Sequence, residues 1–428
     1  MTLKRIFSGL TLATLAGMSI GTAYAASAGE FYKGKRMTLI VGYSAGGGYD
    51  TYTRLLGRHM KRHVPGNPSI IVKNRAGAGS ITAANYIATI APKDGTVFGT
   101  FSRSLPLSHL IKAIKLPFDP FDGLTYLGSL SSYDDDAYML LVRSDTPFKT
   151  VKDLQNASLP PAILSATAPG STGYDVPYML NAVLGLRIKI IAGYPGTKQG
   201  GLAFDRNEVN MVSQGLSSIR ATQPHWIKEK KARFLVQYGR LTRHPSFPNV
   251  PTGRELAPNA EVLSLIKLQE VPLFMARPYA APGGLPPKRA KALRKAFMDT
   301  AKDPKFVKAG RLLKIDISPI DGNKVTTILN DLKKSTPAVL AKYKAIMDSR
   351  PPLPMVKHTG PVTKTKRGGR RIWISHKGKE VKAKVSGSRT KVTLNGKKVK
   401  RKVIKKGMTC TFTYASPGSR AKKIDCKG

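Results

Sequence analysis

The chain has 428 residues, with 71 Lys and Arg against 25 Asp and Glu for a formal charge of +46, and 41% of it is hydrophobic. That length allows two or three domains with a sizeable core, and the apolar fraction argues against disorder over most of it. Beyond the N-terminus no apolar run reaches the roughly 18 residues of a spanning helix, which excludes a multi-span membrane protein, and two cysteines can make neither a disulfide-dense scaffold nor a four-thiolate metal site.

The first stretch reads as an export signal. Lys4 and Arg5 precede an apolar run from Ile6 to Ile20, and Ala23-Tyr24-Ala25 offers small residues at −3 and −1 of a cut before Ala26. The run is short for a spanning helix. Residues 1–25 are therefore expected to be a cleaved signal peptide and the mature chain to be periplasmic. In that compartment Cys410 and Cys426 can oxidise and pair.

From Met37 to about Ile346 short apolar runs alternate with helical patterns, the organisation of an α/β protein. Four junctions share one form. Leu39-Ile40-Val41 leads into Ser44-Ala45-Gly46-Gly47-Gly48 and a helix near Asp50. Ile70-Ile71-Val72 leads into Asn74-Arg75-Ala76-Gly77-Ala78-Gly79-Ser80 and a helix over 81–90. Ala162-Ile163-Leu164 leads into a loop with Gly170, Ser171, Thr172 and Gly173, then a helix over 178–184. The run ending at Ile191 leads into Gly193-Tyr194-Pro195-Gly196-Thr197 and a helix to about Arg206. Helical stretches are also predicted over 288–303 and 323–347.

Each junction puts free backbone N–H groups and the positive end of a helix dipole at a strand's carboxyl end. Glycines let the main chain approach a ligand, Ser and Thr add donors, and the site prefers an anion. Ligands of open α/β sheets lie beyond those strand ends. Four such loops together favour a carboxylate or phosphate ligand.

After Ile346 the composition changes. Arg350-Pro351-Pro352-Leu353-Pro354 reads as a stiff linker and Lys364–Arg371 as a flexible basic one, so 351–370 is a linker and 371–428 a separate basic β module. From Pro361 to Gly428 there are 22 Lys and Arg and two acids, Glu380 and Asp425, a net of +20. Alternating segments at 371–375, 381–385, 391–394, 399–404 and 409–414 predict short antiparallel strands, with Asn395-Gly396 as a hairpin turn. Such a module either binds a polyanion, such as an anionic envelope polymer or lipid, or presents a merely solvated basic face. Nucleic acid is not expected, because stacking aromatics are sparse (Trp373, Phe412, Tyr414) and the chain reads as exported.

The search for catalytic groups is negative. Ser44–Asp50 lacks the Gly-Lys-Ser/Thr of a nucleotide P-loop, and there is no G-x-S-x-G elbow. His59 and His63 have a zinc-compatible spacing, but Met60 stands where a zinc protease has its Glu. His109, His225, His244, His358 and His376 lack an acid–nucleophile arrangement, and Tyr133-Asp134-Asp135-Asp136 reads as a solvated turn. Neither catalysis, a metal nor a cofactor is expected.

The ordered set Gly46–Arg54, Pro65-Gly66-Asn67-Pro68, Val72–Gly79, Ala91-Pro92-Lys93-Asp94-Gly95, Gly193–Thr197, Glu208-Val209-Asn210 and Arg277–Gly283 resembles the extracytoplasmic solute receptors of the tripartite tricarboxylate transporter family, the Bug-type receptors. The resemblance implies a two-lobed periplasmic-binding-protein fold, type II-like with two crossings, with lobe 1 from 26–137 and 240–350 and lobe 2 from 138–239. It implies a receptor that closes over an organic carboxylate and delivers it to two integral membrane transporter subunits. Carried over, Ser44, Ala45, Gly46, Gly47 and Gly48, with Gly77, Ala78, Gly79 and Ser80, hold the carboxylate through backbone donors and water. Ser171, Thr172, Tyr194, Gly196 and Thr197 serve from the second lobe, and Asp50 caps a helix and shapes the loop. This chain departs from the family at Ala45, where many members have Pro, at Pro195, where they often have Lys, and at Glu208-Val209-Asn210 in place of Gly-x-Val-Asp. The rival readings are a carboxylate sensor, a polyanion-binding protein acting through the basic module, and an α/β hydrolase or isomerase.

Overall fold

The alternating pattern builds three sheets in the computed structural model, which describes residues 28–133, 136–351, 355–414 and 421–428. The signal-peptide reading, Asp134, Asp135 and the centre of the Pro-rich segment lie outside the described residues. The first sheet starts with β1 (Arg36–Val41), β2 (Ser69–Asn74), β3 (Val97–Thr100) and β4 (Leu124–Ser129). The chain then passes into a second sheet made of β5 (Tyr138–Arg143), β6 (Ala162–Ser165), β7 (Ile188–Ile191), β8 (Met211–Gly215) and β9 (Ala232–Tyr238). It returns to the first as β10 (Pro278–Pro282) and β11 (Ile320–Asp321). The strand orders are β11-β4-β10-β3-β1-β2 and β7-β6-β8-β5-β9. β1 runs parallel to β2 and β3, and β6 parallel to β7 and β8, while β10 and β5 are the antiparallel returns.

Helices cover these sheets, so the strands read as continuous apolar runs rather than alternating ones. Leu39 and Val41 are fully buried with Ile40 nearly so, and Met139–Val142 are sealed. The helix Gly48–Met60 turns Tyr52, Leu55, Leu56 and Met60 inward, the i, i+3, i+4, i+8 face expected of an amphipathic helix. There they meet Leu39, Phe98 and, from the helix Pro287–Lys302, Leu293 and Phe297. In the second sheet Phe204, Leu216 and Trp226 pack against Met139 and Leu141, and Trp226 Nε1 donates to Asp205 at 2.6 Å. The predicted helical stretch 323–347 is two helices, Gly322–Lys333 and Pro337–Asp348. Pro337 has no N–H to continue the first and instead takes the opening turn of the second.

The C-terminal module is a seven-stranded sheet of β12 (Val356–Lys366), β13 (Arg371–His376), β14 (Lys379–Lys384), β15 (Lys391–Leu394), β16 (Lys397–Lys398), β17 (Thr409–Tyr414) and β18 (Ala421–Lys427), in the order β14-β13-β12-β17-β18-β15-β16. Three sequence expectations need correction. Residues 356–366 are not linker but the module's longest strand, paired with both β13 and β17; of its inward side only Gly360 and Val362 are buried, so it carries little apolar signal. The supposed flexible basic linker is the end of β12 and its turn into β13, where Arg367, Gly368 and Gly369 all have positive φ. Val399–Ile404 is not a strand and holds only a 3-10 turn over Arg401–Val403. Asn395 and Gly396 have φ of 49° and 80°, the pair of positive values a type I′ turn requires, and they join β15 to β16. Cys410 and Cys426 face each other across β17 and β18 and are disulfide-bonded. Around them Val362, Ile372, Ile374, Val392, Phe412, Tyr414 and Ile424 form the core.

Candidate functional site

Beyond the carboxyl ends of β1, β6 and β8 the two sheets enclose a cleft of about 750 Å³, its open mouth included. The first sheet contributes Tyr43, Gly47, Gly48, Tyr49, Arg103, Tyr133 and Arg277; the second contributes Tyr138, Ser165–Thr167, Ser171–Gly173, Tyr194, Gly196, Thr197 and the end of β8 from Val212 to Gly215.

The glycine-rich loop after β1 allows the lobes to meet. A Cβ on Gly48 would overlap Ser218 Oγ, and one on Gly47 would press on Thr197 Oγ1. Ser44 N–H donates to Pro195 O at 3.1 Å, and Ser44 Oγ to Gln199 Oε1 at 2.7 Å, so the first and fourth junctions are tied across the cleft. Asp50 shapes this loop, although not as a cap: the cap position is Gly47. From the first turn its Oδ2 reaches back to accept from Gly46 N–H at 2.8 Å and Arg54 Nε at 2.9 Å, while Oδ1 accepts from Asn74 Nδ2 at 2.7 Å. Burial alone would raise its carboxyl, but those donors outweigh burial and hold it below the usual range.

Charge in the cleft comes from two arginines that were not candidate site residues: Arg103 lies in no motif, and Arg277 opens one of the family stretches without having been given a role. Arg103, 3% exposed, stands three residues past β3. Its Nε donates to Ala276 O at 2.5 Å, its Nη1 lies 3.4 Å from Thr172 Oγ1, and its guanidinium sits 4.9 to 5.6 Å from the ring centres of Tyr133, Tyr49 and Tyr138. Among the described residues no carboxylate lies within 4.0 Å of it. Arg277, 1% exposed, lies 4.0 Å from the Tyr52 ring, donates to Ser131 Oγ and reaches Ser218 Oγ at 3.4 Å. Its nearest acid is Asp136, with Nη2 to Oδ2 at 3.8 Å. Burial works against the Arg277 charge, and the surrounding phenols with Asp136 more than offset it. Burial also pushes the phenols of Tyr43, Tyr133 and Tyr138 up, so all three stay neutral hydroxyls at physiological pH. Among the described residues, two guanidiniums against one carboxylate leave a surplus of one positive charge in a low-dielectric cleft, a bias toward an anion. Ser213 Oγ, also on the cleft wall, is buried without a hydrogen-bond partner among the described residues.

Seven of the residues singled out from sequence line the cleft: Gly47, Gly48, Ser171, Thr172, Tyr194, Gly196 and Thr197. The others stand one layer behind. Ser44, Ala45 and Gly46 form the interlobe tie and the Asp50 turn. Of Gly77, Ala78, Gly79 and Ser80, Gly79 packs on Ala168 and Ser171, and Ser80 Oγ accepts from Ser102 N–H at 2.7 Å, bracing the loop that carries Arg103. The acidic run expected to be a solvated turn is corrected at Asp136, which is 2% exposed and accepts from Ser217 N–H at 3.2 Å while facing Arg277. A buried guanidinium drew it inward. Arg103 had a signal of its own, since Ser102-Arg103-Ser104 follows the apolar run Val97–Thr100, but it lacks the glycines that marked the other four loops.

A family profile described as tripartite tricarboxylate transporter family receptor matches residues 54–347. A Cupriavidus necator protein described as "UPF0065 protein in gbd 5'region" is 26% identical over 318 residues, 73% of this chain and 88% of its own. Among solved structures, the periplasmic binding protein BugD superposes with a TM-score of 0.59 at 18% identity, over 74% of this chain and 98% of its own. MatC from Rhodopseudomonas palustris with bound malate gives 0.57 at 20%, over 73% and 99%. A further R. palustris protein, with adipate, gives 0.56 at 18%, over 73% and 96%. These likenesses fix the two-lobed fold and leave the basic module outside it.

Proposed function

The chain belongs to the receptor family of the tripartite tricarboxylate transporters, and on that premise we propose that it captures a small organic carboxylate between its lobes and hands it to two membrane-embedded transporter subunits. Members of the family are periplasmic, and no helix among the described residues is long and apolar enough to cross a membrane.

The observation that carries the reading is Arg103, a buried cation on the cleft wall that has no acid partner among the described residues. An unpaired buried charge costs several kcal/mol unless a counter-ion arrives. A carboxylate supplies that counter-ion and can accept two bonds from one guanidinium fork. In this arrangement Arg103, the Tyr43 hydroxyl and the N–H groups of Gly47 and Gly48 bind from the first lobe. Ser171, Thr172, Thr197 and the orphan hydroxyl of Ser213 bind from the second. The ligand touches both walls only when the lobes are together, so it favours the closed state by the affinity difference between the two. That MatC binds malate and the other neighbour adipate supports a dicarboxylate of about that size. No covalent step is needed.

A thermal-shift panel on the intact protein tests this. An acid present at about 100 times its dissociation constant should stabilise the fold by about 2.7 kcal/mol, a rise of several degrees for a protein of this size. If malate, adipate, citrate, glutamate and aromatic acids all leave the melting temperature unchanged and show no heat by calorimetry, the receptor reading fails.

A further inference from the structure

The family and the cleft leave the basic module without a role. Its strand register answers where its charge points. Lys364 pairs with Trp373 and Trp373 with Lys382; one step along, Lys366 pairs with Arg371 and Arg371 with Lys384. Cross-strand partners share a face. The outer face of β12–β13–β14 is therefore two neighbouring rows, Lys364–Trp373–Lys382 and Lys366–Arg371–Lys384. The opposite face holds Val362, Ile372, Ile374 and Ala383 in the core. Both lysine Nζ atoms of the first row stand 5.8 Å from the Trp373 ring centre. The nearest acid in register, Glu380, is in the next row and accepts from Thr363 Oγ1 at 2.9 Å. Among the described residues Lys364, Lys366, Arg371 and Lys382 have no carboxylate within 4.0 Å.

Like charges in adjacent rows repel and weaken a sheet, so this face is arranged for an external anion. We propose that it docks the protein on an anionic phospholipid membrane, with Trp373 entering the headgroup layer and the surrounding cations meeting lipid phosphates. Charge complementarity sets the sign, and the geometry of the face selects the partner. The cations lie on an open sheet face rather than in a slot, and the single half-buried tryptophan offers one ring where a single-stranded nucleic acid needs a succession of them. Tryptophan is the side chain that settles at membrane interfaces, and a lysine or arginine near an anionic bilayer strengthens attachment about fivefold. Docking would confine the receptor to the surface where its transporter sits and raise its effective concentration there. The proposal is independent of which acid the cleft holds.

The test is sedimentation of the full chain with phosphatidylcholine vesicles, with and without about one-third phosphatidylglycerol, at about 0.05 and 0.5 M salt. We expect binding to the anionic vesicles alone, lost at the higher salt. The chain has two tryptophans and Trp226 is fully buried, so a blue shift of emission on binding reports Trp373. Replacing Lys364, Arg371 and Lys382 together by Ser should weaken binding about a hundredfold. Removing the same charge elsewhere in the module, at Lys397, Lys405 and Lys406, should weaken it only a few-fold, with both variants melting as the parent does. The proposal is overturned if anionic vesicles bring down no protein, if Trp373 emission does not move, if the two triple variants lose equally, or if a DNA duplex of equal charge binds more tightly than the vesicles.

Discussion

Arg103→Met separates the two things a buried cation does. Methionine keeps the volume of the stem and removes the guanidinium from a site where, among the described residues, it has no carboxylate partner. In the empty protein the change discards the bonds to Ala276 O and Thr172 Oγ1 and the contacts with three tyrosine rings. It also discards the cost of keeping a charge away from water. Those terms are of similar size and opposite sign, so the empty variant should melt within a few degrees of the parent or above it. With ligand the balance changes, because the guanidinium–carboxylate bonds are made only in the complex. A hydrogen bond between charged groups contributes about 1.5–3 kcal/mol, and a two-pronged pair somewhat more, so the loss should be about 2–4 kcal/mol, or 30- to 900-fold in Kd. The assay is isothermal calorimetry with whichever acid the panel returns, beside calorimetric melts of both proteins without ligand. Binding within threefold of the parent would refute the role given to Arg103. A drop of ten degrees in the empty variant would show the guanidinium to be a structural post.

Gly48→Ala should leave each lobe folded, since alanine suits a helix's first turn, yet weaken ligand binding tenfold or more by striking Ser218 on closure; the double change with Ser218→Gly should recover most of the loss, and a double-mutant cycle by calorimetry reads it. Partial burial raises the Asp303 carboxyl, but bonds from His63, Arg62 and Lys305 N–H outweigh that and hold it well below the usual range. A depressed folded value adds stability above the unfolded value of about 3.9 that disappears as pH falls through the folded one, so below about pH 4 the parent should lose melting temperature more steeply than Asp303→Asn. Cys410→Ser opens a loop with a sequence separation of 16, worth about 3 kcal/mol; scanning calorimetry should show a transition of the module moving down while that of the lobes stays, and a shift of both together would mean that the units melt as one.

What the sequence disclosed and what it hid follow from the range over which each feature is encoded. The strand–loop–helix junctions were legible because their signals are local: an apolar run, two or three glycines, then an amphipathic face such as Tyr52, Leu55, Leu56 and Met60. Such signals locate strand ends, and three of the four loops found this way do reach the cleft wall. They do not say which loop stands in front of which. Gly77–Ser80 carries the same local grammar as Gly46–Gly48, yet it supports the Arg103 loop from behind through Ser80 and Ser102. That rank is set by strand order β3-β1-β2, where β3 sits between β1 and the returning β10.

Charge was harder still, because a lone arginine among 71 basic residues carries no mark. What distinguishes Arg103 and Arg277 is burial, and burial is decided by residues far along the chain: Ala276 for the first, Ser131, Asp136 and Ser218 for the second. The module fails in the same way at β12 and β18, where lysines match or outnumber apolar residues and only pairing with β13 and β17 shows which side faces inward. Once that register is known, an undifferentiated net charge becomes a face with a tryptophan between two lysines. The step from composition to partner therefore runs through strand pairing, and the paired sets of triple variants measure whether the face or the total charge attracts the membrane.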